Sequence, residues 1–204
     1  FFLLTLYLQD VLHYSAVESG VAFLAFALTV VLVSNIAQLI VGRFGVRPTL
    51  TAGLLISAVS VAWLARLPVD GHYFWDIFPG FVLGGAGMGL SFVPVTIASL
   101  TGVERSDAGV ASGLVNTSRQ IGGALGIAAV SAVAASATSS YVSVHGVAAT
   151  SGAALDHGFQ TGLYVLIGLL VAGALIVATL IRPVRPRAAE APVAPEGVAL
   201  EEAA

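Results

Sequence analysis

The spacing of its charges constrains this chain most. No Asp, Glu, Lys or Arg occurs in residues 1–9, 19–42, 48–65, 77–103 or 157–181. A charge at the centre of a lipid-exposed helix costs several kcal/mol, whereas leucine and its relatives favour insertion. About 20 residues, each rising about 1.5 Å, cross a hydrocarbon layer of about 30 Å. The four longer runs therefore qualify as membrane spans. Residues 108–135 add another, apolar and small apart from Arg119 and a few uncharged polar side chains. The expected architecture is an all-α polytopic membrane protein with helices at about 1–12 (truncated), 19–42, 48–66, 75–100, 107–136 and 158–181. A disordered cytoplasmic tail is expected over 182–204, where proline, alanine and acids dominate.

Composition supports this architecture by exclusion. Of 204 residues, 57% are hydrophobic and 9% charged, and seven of the 19 charges fall in 182–204, leaving twelve for the first 181. Twelve charges are too few to coat a soluble surface. With no lysine and a net charge of -3, the chain has no basic stripe for a phosphate backbone, which argues against a nucleic-acid partner. The absence of cysteine removes disulfide scaffolds, thiolate metal sites and thiol catalysis. Phe1-Phe2-Leu3-Leu4 has no basic segment before it, so it does not read as a signal peptide. The expectation is a fragment that begins inside a hydrophobic segment.

Breaker residues mark the connections: Gly42 to Pro48, Pro68 to Gly71, and Ser106 as an N-cap for the fifth helix. The stretch 137–156, rich in Ser, Thr, Ala and Gly, reads as an irregular exposed loop. If sides alternate, Arg43, Arg47, Arg105, Arg182, Arg185 and Arg187 share one face and Arg66 stands on the other. Arginine excess marks the cytoplasmic side, so the expected location is the cell membrane, multi-pass, with the tail cytoplasmic.

The fifth helix is the least lipid-like. Ser112, Asn116, Arg119 or Gln120, and Gly123 follow one another at helical spacing and form a polar stripe. Two uses fit such a stripe: lining an aqueous substrate path, or a hydrogen-bonded seam between helices with the arginine reaching for headgroups. Arg119 lies about 18 Å along the helix from Asp107, a depth that favours the path or an ion pair. In the fourth helix Gly80, Gly84, Gly85 and Gly89, and in the fifth Gly109, Gly113, Gly122 and Gly126, have the four-residue spacing that lets a neighbouring backbone approach closely. Pro94 lacks an amide hydrogen and would provide a kink or a hinge. Met88 and Phe92, one turn apart, offer apolar contact to a ligand or to lipid. Asn35 and Gln38 share a face of the second helix and serve either a ligand or a neighbouring helix. His13, His72, His145 and His157 sit in loops or at helix ends without metal-ligand spacing, and no metal site is expected. An intramembrane hydrolase would need a serine and a histidine, or paired aspartates, at membrane depth; the helix cores offer neither, so an enzyme is not expected.

Several segments together resemble the C-terminal half of a major facilitator superfamily transporter of the fourteen-spanner drug:proton antiporter type. They are Leu6-Tyr7-Leu8-Gln9-x-Val11-Leu12-x-Tyr14-Ser15, the loop Gly42-Arg43-Phe44-Gly45-Val46-Arg47, the run from Pro79 to Pro94, and the run from Ala108 to Gly123. The resemblance implies the last six helices of a bundle, two inverted three-helix repeats, and substrate near the midplane between the two halves. It implies a cytoplasmic gate loop of pattern Gly-x-x-x-Asp-Arg-x-Gly-Arg. Arg43 and Gly45 fit that pattern and Arg47 matches the basic residue that trails it, while Gln38, Gly42 and Val46 depart from it. It also implies efflux of small amphipathic or cationic compounds, driven by a proton gradient whose coupling carboxylates lie in the other half. The expected partners are thus the bilayer, a small-molecule substrate and the missing N-terminal half, without which the fragment would not transport. Export of an endogenous metabolite or a self-made antibiotic is the alternative within the same fold. A structural or receptor-like membrane protein would not need the polar stripe.

Overall fold

The structure, a computed structural model, describes residues 1–67, 72–148 and 151–181. The expected tail over 182–204, with Arg182, Arg185 and Arg187, and the expected turn from Pro68 to Gly71 lie outside the described residues. Within them every regular element is helical. Helix α1 (Phe2–Leu6) runs into a π-helical turn (Tyr7–Val11), and α2 (Ala16–Ala22) meets α3 (Leu24–Phe44) at Phe23. Next come α4 (Val46–Leu64), a π-helical turn (Tyr73–Ile77) leading into α5 (Phe78–Leu100), α6 (Ala108–His145) and α7 (Gly152–Leu180). Five of these rods are long and apolar enough to cross a membrane: Ala16–Phe44, Val46–Leu64, Tyr73–Leu100, Ala108–His145 and Gly152–Leu180.

Local chemistry sets the ends. Ser15 accepts a hydrogen bond from the Glu18 amide (3.2 Å), and the Glu18 carboxylate accepts one from the Ser15 amide (2.8 Å). This reciprocal cap starts α2 by satisfying amides that have no partner within the helix. His13, at φ 56, makes the reversal before it. Gly45 alone separates α3 from α4, at φ 90 and ψ 170. Only glycine adopts that conformation without strain, so two spanning helices reverse over one residue.

The fifth helix outruns its expected end. Residues 137–145, taken from composition as loop, are helical up to His145, and α7 begins at Gly152. The polar residues there bond back to their own helix. Thr138 donates to the Ala134 carbonyl (3.0 Å) and Ser143 to that of Ser140 (2.8 Å), so they do not break it. Gly146, left-handed at φ 65, is the stop. Asp156 and His157, expected at the end of the loop, therefore lie in the second turn of α7. Asp107 rather than Ser106 is the N-cap of α6, without a side-chain bond.

α5 is the hub, packed against α4 on one side and α3 on the other; α4 also meets α7, and α7 meets α6. An aromatic and aliphatic core closes the end opposite Gly45, where Tyr7, Leu8, Ile77 and Phe81 are fully buried. Phe81 stacks on Phe23 and Tyr7 on Phe159, with ring centroids 4.9 and 5.2 Å apart. Interhelical hydrogen bonds reinforce the same end: Ser60 to the Gly80 carbonyl (2.7 Å) and Tyr73 to that of Ala22 (2.8 Å). Large apolar side chains such as Leu28, Leu32, Leu39, Leu175 and Leu180 point outward, as a lipid-facing surface requires.

Candidate functional site

The glycines of α5 divide into two faces. A Cβ on Gly84 would stand 2.8 Å from Ser60 Oγ, one on Gly80 would meet Leu64, and one on Gly87 would meet Ser57 and lie 2.7 Å from the Gly53 carbonyl. All of these neighbours belong to α4. Gly85 and Gly89 face α3 instead, their Cβ positions 2.7 Å from the Phe26 carbonyl and 3.1 Å from that of Val30. Residues 80, 84 and 87 share one helical face, and 85 and 89 another. Gly53 and Gly87, outside the four-residue pairs read from the sequence, mark the tightest α4–α5 crossing. The signal that could have found Gly87 is its place seven residues after Gly80.

On α6 the result is the opposite. Gly109, Gly113, Gly122 and Gly126 have nothing within 4 Å of a Cβ, and Val130 is the helix's one buried residue among those described. The close packing assigned to these four by spacing is not made within this chain. Spacing shows that a backbone can approach; it does not say which helix does.

This exposed helix carries Arg119, the one residue among Asp, Glu, Lys and Arg between Ala108 and His145. Arg119 reaches across to α5, where its Nη2 donates to Thr96 Oγ1 at 2.9 Å and its Cζ lies 4.5 Å from the centre of the Phe92 ring. Thr96 in turn donates to the Phe92 carbonyl at 3.0 Å, which leaves its oxygen lone pairs aimed at the guanidinium. A cation over an aromatic face is stabilised by the ring quadrupole, and one hydrogen bond leaves guanidinium donors spare. No carboxylate pairs with Arg119 among the described residues. Met88 and Phe92 are both substantially exposed, at 41% and 49%, one turn apart on α5. Asn116 and Gln120, exposed on α6, flank Arg119. The contact across the two helices is made by Arg119 with Phe92 and Thr96; Met88 extends the α5 side by one turn and Asn116 the α6 side, while Gln120, adjacent to Arg119 in the chain, is turned about 100° away from it. Thr96 was missed from the sequence, although its place one turn beyond Phe92 is the signal that marks it.

Asn35 stands apart on α3, where its amide donates to the Val31 carbonyl of its own helix (2.7 Å). The gate-loop residues also divide. Arg43 lies over the neighbouring Phe44 ring at 5.5 Å, Gly45 makes the turn, and Arg47 donates through Nη2 to the Ala178 carbonyl. Arg47 therefore ties the start of α4 to the last turn of α7, where a cation also meets the negative end of the helix dipole.

Comparison with known proteins fits this frame. Residues 1–127 match the family described as the Major Facilitator Superfamily. The chain is 35% identical over 187 residues to the puromycin resistance protein pur8 of Streptomyces alboniger, covering 89% of this chain and 37% of that protein. It is 38% identical over 139 residues to the cephamycin export protein CmcT of Amycolatopsis lactamdurans, covering 68% and 29% respectively. To the multidrug resistance protein Stp of Mycobacterium tuberculosis it is 31% identical over 143 residues, covering 70% and 26%. The chain thus spans little more than a third of these relatives' length, or less. It belongs to the major facilitator superfamily.

Proposed function

We propose that this major facilitator chain forms one wall of the substrate path of an exporter that moves small amphipathic or cationic compounds by alternating access. The observation that carries the reading is the Arg119 patch: a charge at membrane depth, clasped to a neighbouring helix, on a helix whose other face this chain leaves open. Buried charge is retained in membranes where it meets substrate, ions or a partner. Similarity to proteins named for puromycin resistance, cephamycin export and multidrug resistance supports efflux as the direction. The share of those relatives left unmatched supports a second helical half as partner, and by the family resemblance that half holds the proton-coupling carboxylates. The open glycines of α6 are then its landing surface. The protein lies in the cell membrane, with the end bearing Arg43, Arg47 and Arg105 and the C-terminal tail on the cytoplasmic side, in keeping with arginine excess.

A second reading, export of a metabolite or antibiotic made by the cell itself, is favoured by the likeness to the cephamycin export protein. Flux in proteoliposomes of the full-length protein tests both. Dye efflux that collapses when the imposed pH gradient is removed is the expected result, and gradient-independent flux overturns the coupling. A screen that finds only endogenous compounds carried would select the second reading.

A further inference from the structure

A cavity of about 220 Å³ opens between α1, α6 and α7 at the end of the bundle opposite Gly45. Its walls are mostly apolar: Leu6 of α1, Tyr7 of the π-helical turn, Ala134 of α6, and Phe159 of α7. The space arises from side-chain size. Ser131, Ala134 and Ala135 on α6 are small, while Gly158 lets α7 come close, its Cβ position meeting Thr138 and lying 2.7 Å from the Ala134 carbonyl. Tyr7, buried and stacked on Phe159, forms part of the wall with it. The α1 segment at the rim is the π-helical turn Tyr7–Val11, closed by the Leu12 amide donating to the Tyr7 carbonyl at 3.1 Å. Such turns recur at functional sites. This one carries Asp10, an exposed carboxylate and the cavity's one acidic or basic lining residue.

We propose that this cavity binds the apolar tip of an amphiphilic amine, with the ammonium group held at the rim by Asp10. Size sets the first half of the assignment. A dry cavity of about 150 Å³ holds one benzene ring, and whole drug-sized ligands take about 300 Å³ or more, so this space takes a single ring or a short alkyl segment. Charge sets the second half. A carboxylate beside an apolar wall attracts a cation that has an apolar body and repels an anion, and the Thr138 hydroxyl on the wall is already spent on the Ala134 carbonyl. The site lies about one helix half-length from the Arg119 patch, so it is a second station for a ligand and not the same one. Its place on the outer face rests on the topology proposed above; the binding itself does not.

Because these 204 residues hold no cysteine, Ser131→Cys is the one reporter within them, and any cysteine in the rest of the protein is first replaced by serine. With the full-length protein in vesicles of a neutral galactolipid that carries no ammonium group, maleimide labelling of that cysteine is measured against benzyltrimethylammonium, neutral benzyl alcohol and anionic phenylacetate. Benzyltrimethylammonium should protect at about fivefold lower concentration than benzyl alcohol, as one exposed charge pair allows, and phenylacetate should not protect. Asp10→Asn should erase the advantage of the cation and leave benzyl alcohol unchanged; because Asp10 is exposed, this variant keeps its fold. Ala134→Phe should abolish protection by both. Repeating the labelling in vesicles that contain phosphatidylethanolamine separates sources: protection without added probe makes a lipid headgroup the resident ammonium, and protection only with probe makes it a soluble amine. Equal protection by all three probes, an advantage that survives Asp10→Asn, or a cysteine that never labels would each overturn the proposal. Since the assay reads occupancy and not flux, its outcome is separable from that of the efflux experiment.

Discussion

Arg119 shows how one side chain can be both fixed and available. Thr96 and Phe92 take one edge and one face of the guanidinium, and the planar group keeps its other donors in a set direction. Removing it removes charge, hydrogen bond and ring contact together, so Arg119→Ala should lower efflux by the full-length protein about tenfold or more, the scale of a hydrogen bond to a charged group. Thr96→Val keeps the charge and loses only its aim. Its efflux should fall about two- to tenfold, with membrane expression unchanged in both variants. Unchanged transport by Arg119→Ala would remove it from the path. The Arg47 bond to the Ala178 carbonyl is of another kind, because it connects two helix ends and leaves that guanidinium committed to structure.

At the scale of elements, α5 and α6 have similar glycine spacing and opposite environments. Gly87→Ala puts a methyl group against Ser57 and the Gly53 carbonyl, and overpacking of this kind costs about 1–3 kcal/mol. The thermal midpoint of the detergent-solubilised chain should drop by several degrees. Gly113→Ala, with open space around it, should leave that midpoint unchanged or slightly raised in the isolated chain, alanine being the better helix former, and lower it only where a second half is present. The contrast marks what was legible in the sequence. Charge-free runs locate the spans because charge near the bilayer centre is costly whichever way a helix faces. The partner of a glycine depends on how helices turn about their axes, which no run of residues encodes by itself. The helical extension from 137 to 145 was hidden for a related reason: Ser and Thr look like loop until their hydroxyls are seen bonding to their own helix. The Arg119 patch was half legible, with its α6 members given by periodicity and its α5 partner Thr96 only by the crossing of the two helices.

For the molecule as a whole, the proposed topology is testable with the same single-cysteine background, any cysteine outside these 204 residues being replaced by serine. A membrane-impermeant maleimide applied to intact cells should label Ser143→Cys, in the last turn before His145, and spare Arg43→Cys. In inside-out vesicles the pattern should reverse. Asn116→Cys should react with a small permeant reagent and be protected by transported dye, which a position facing lipid would not be. The two faces of α5 bear on how this assembly can move. Where glycines bring helices this close, the layer between them is thin, and a close-packed interior transmits strain instead of absorbing it. Close packing of α5 against both α3 and α4 favours movement of the three helices as one unit. Contact between α5 and α6 is sparse, and α6 is held to the bundle chiefly through α7; the Arg119 clasp is therefore a fastener that a ligand competing for the guanidinium can release without disturbing the α3–α4–α5 packing.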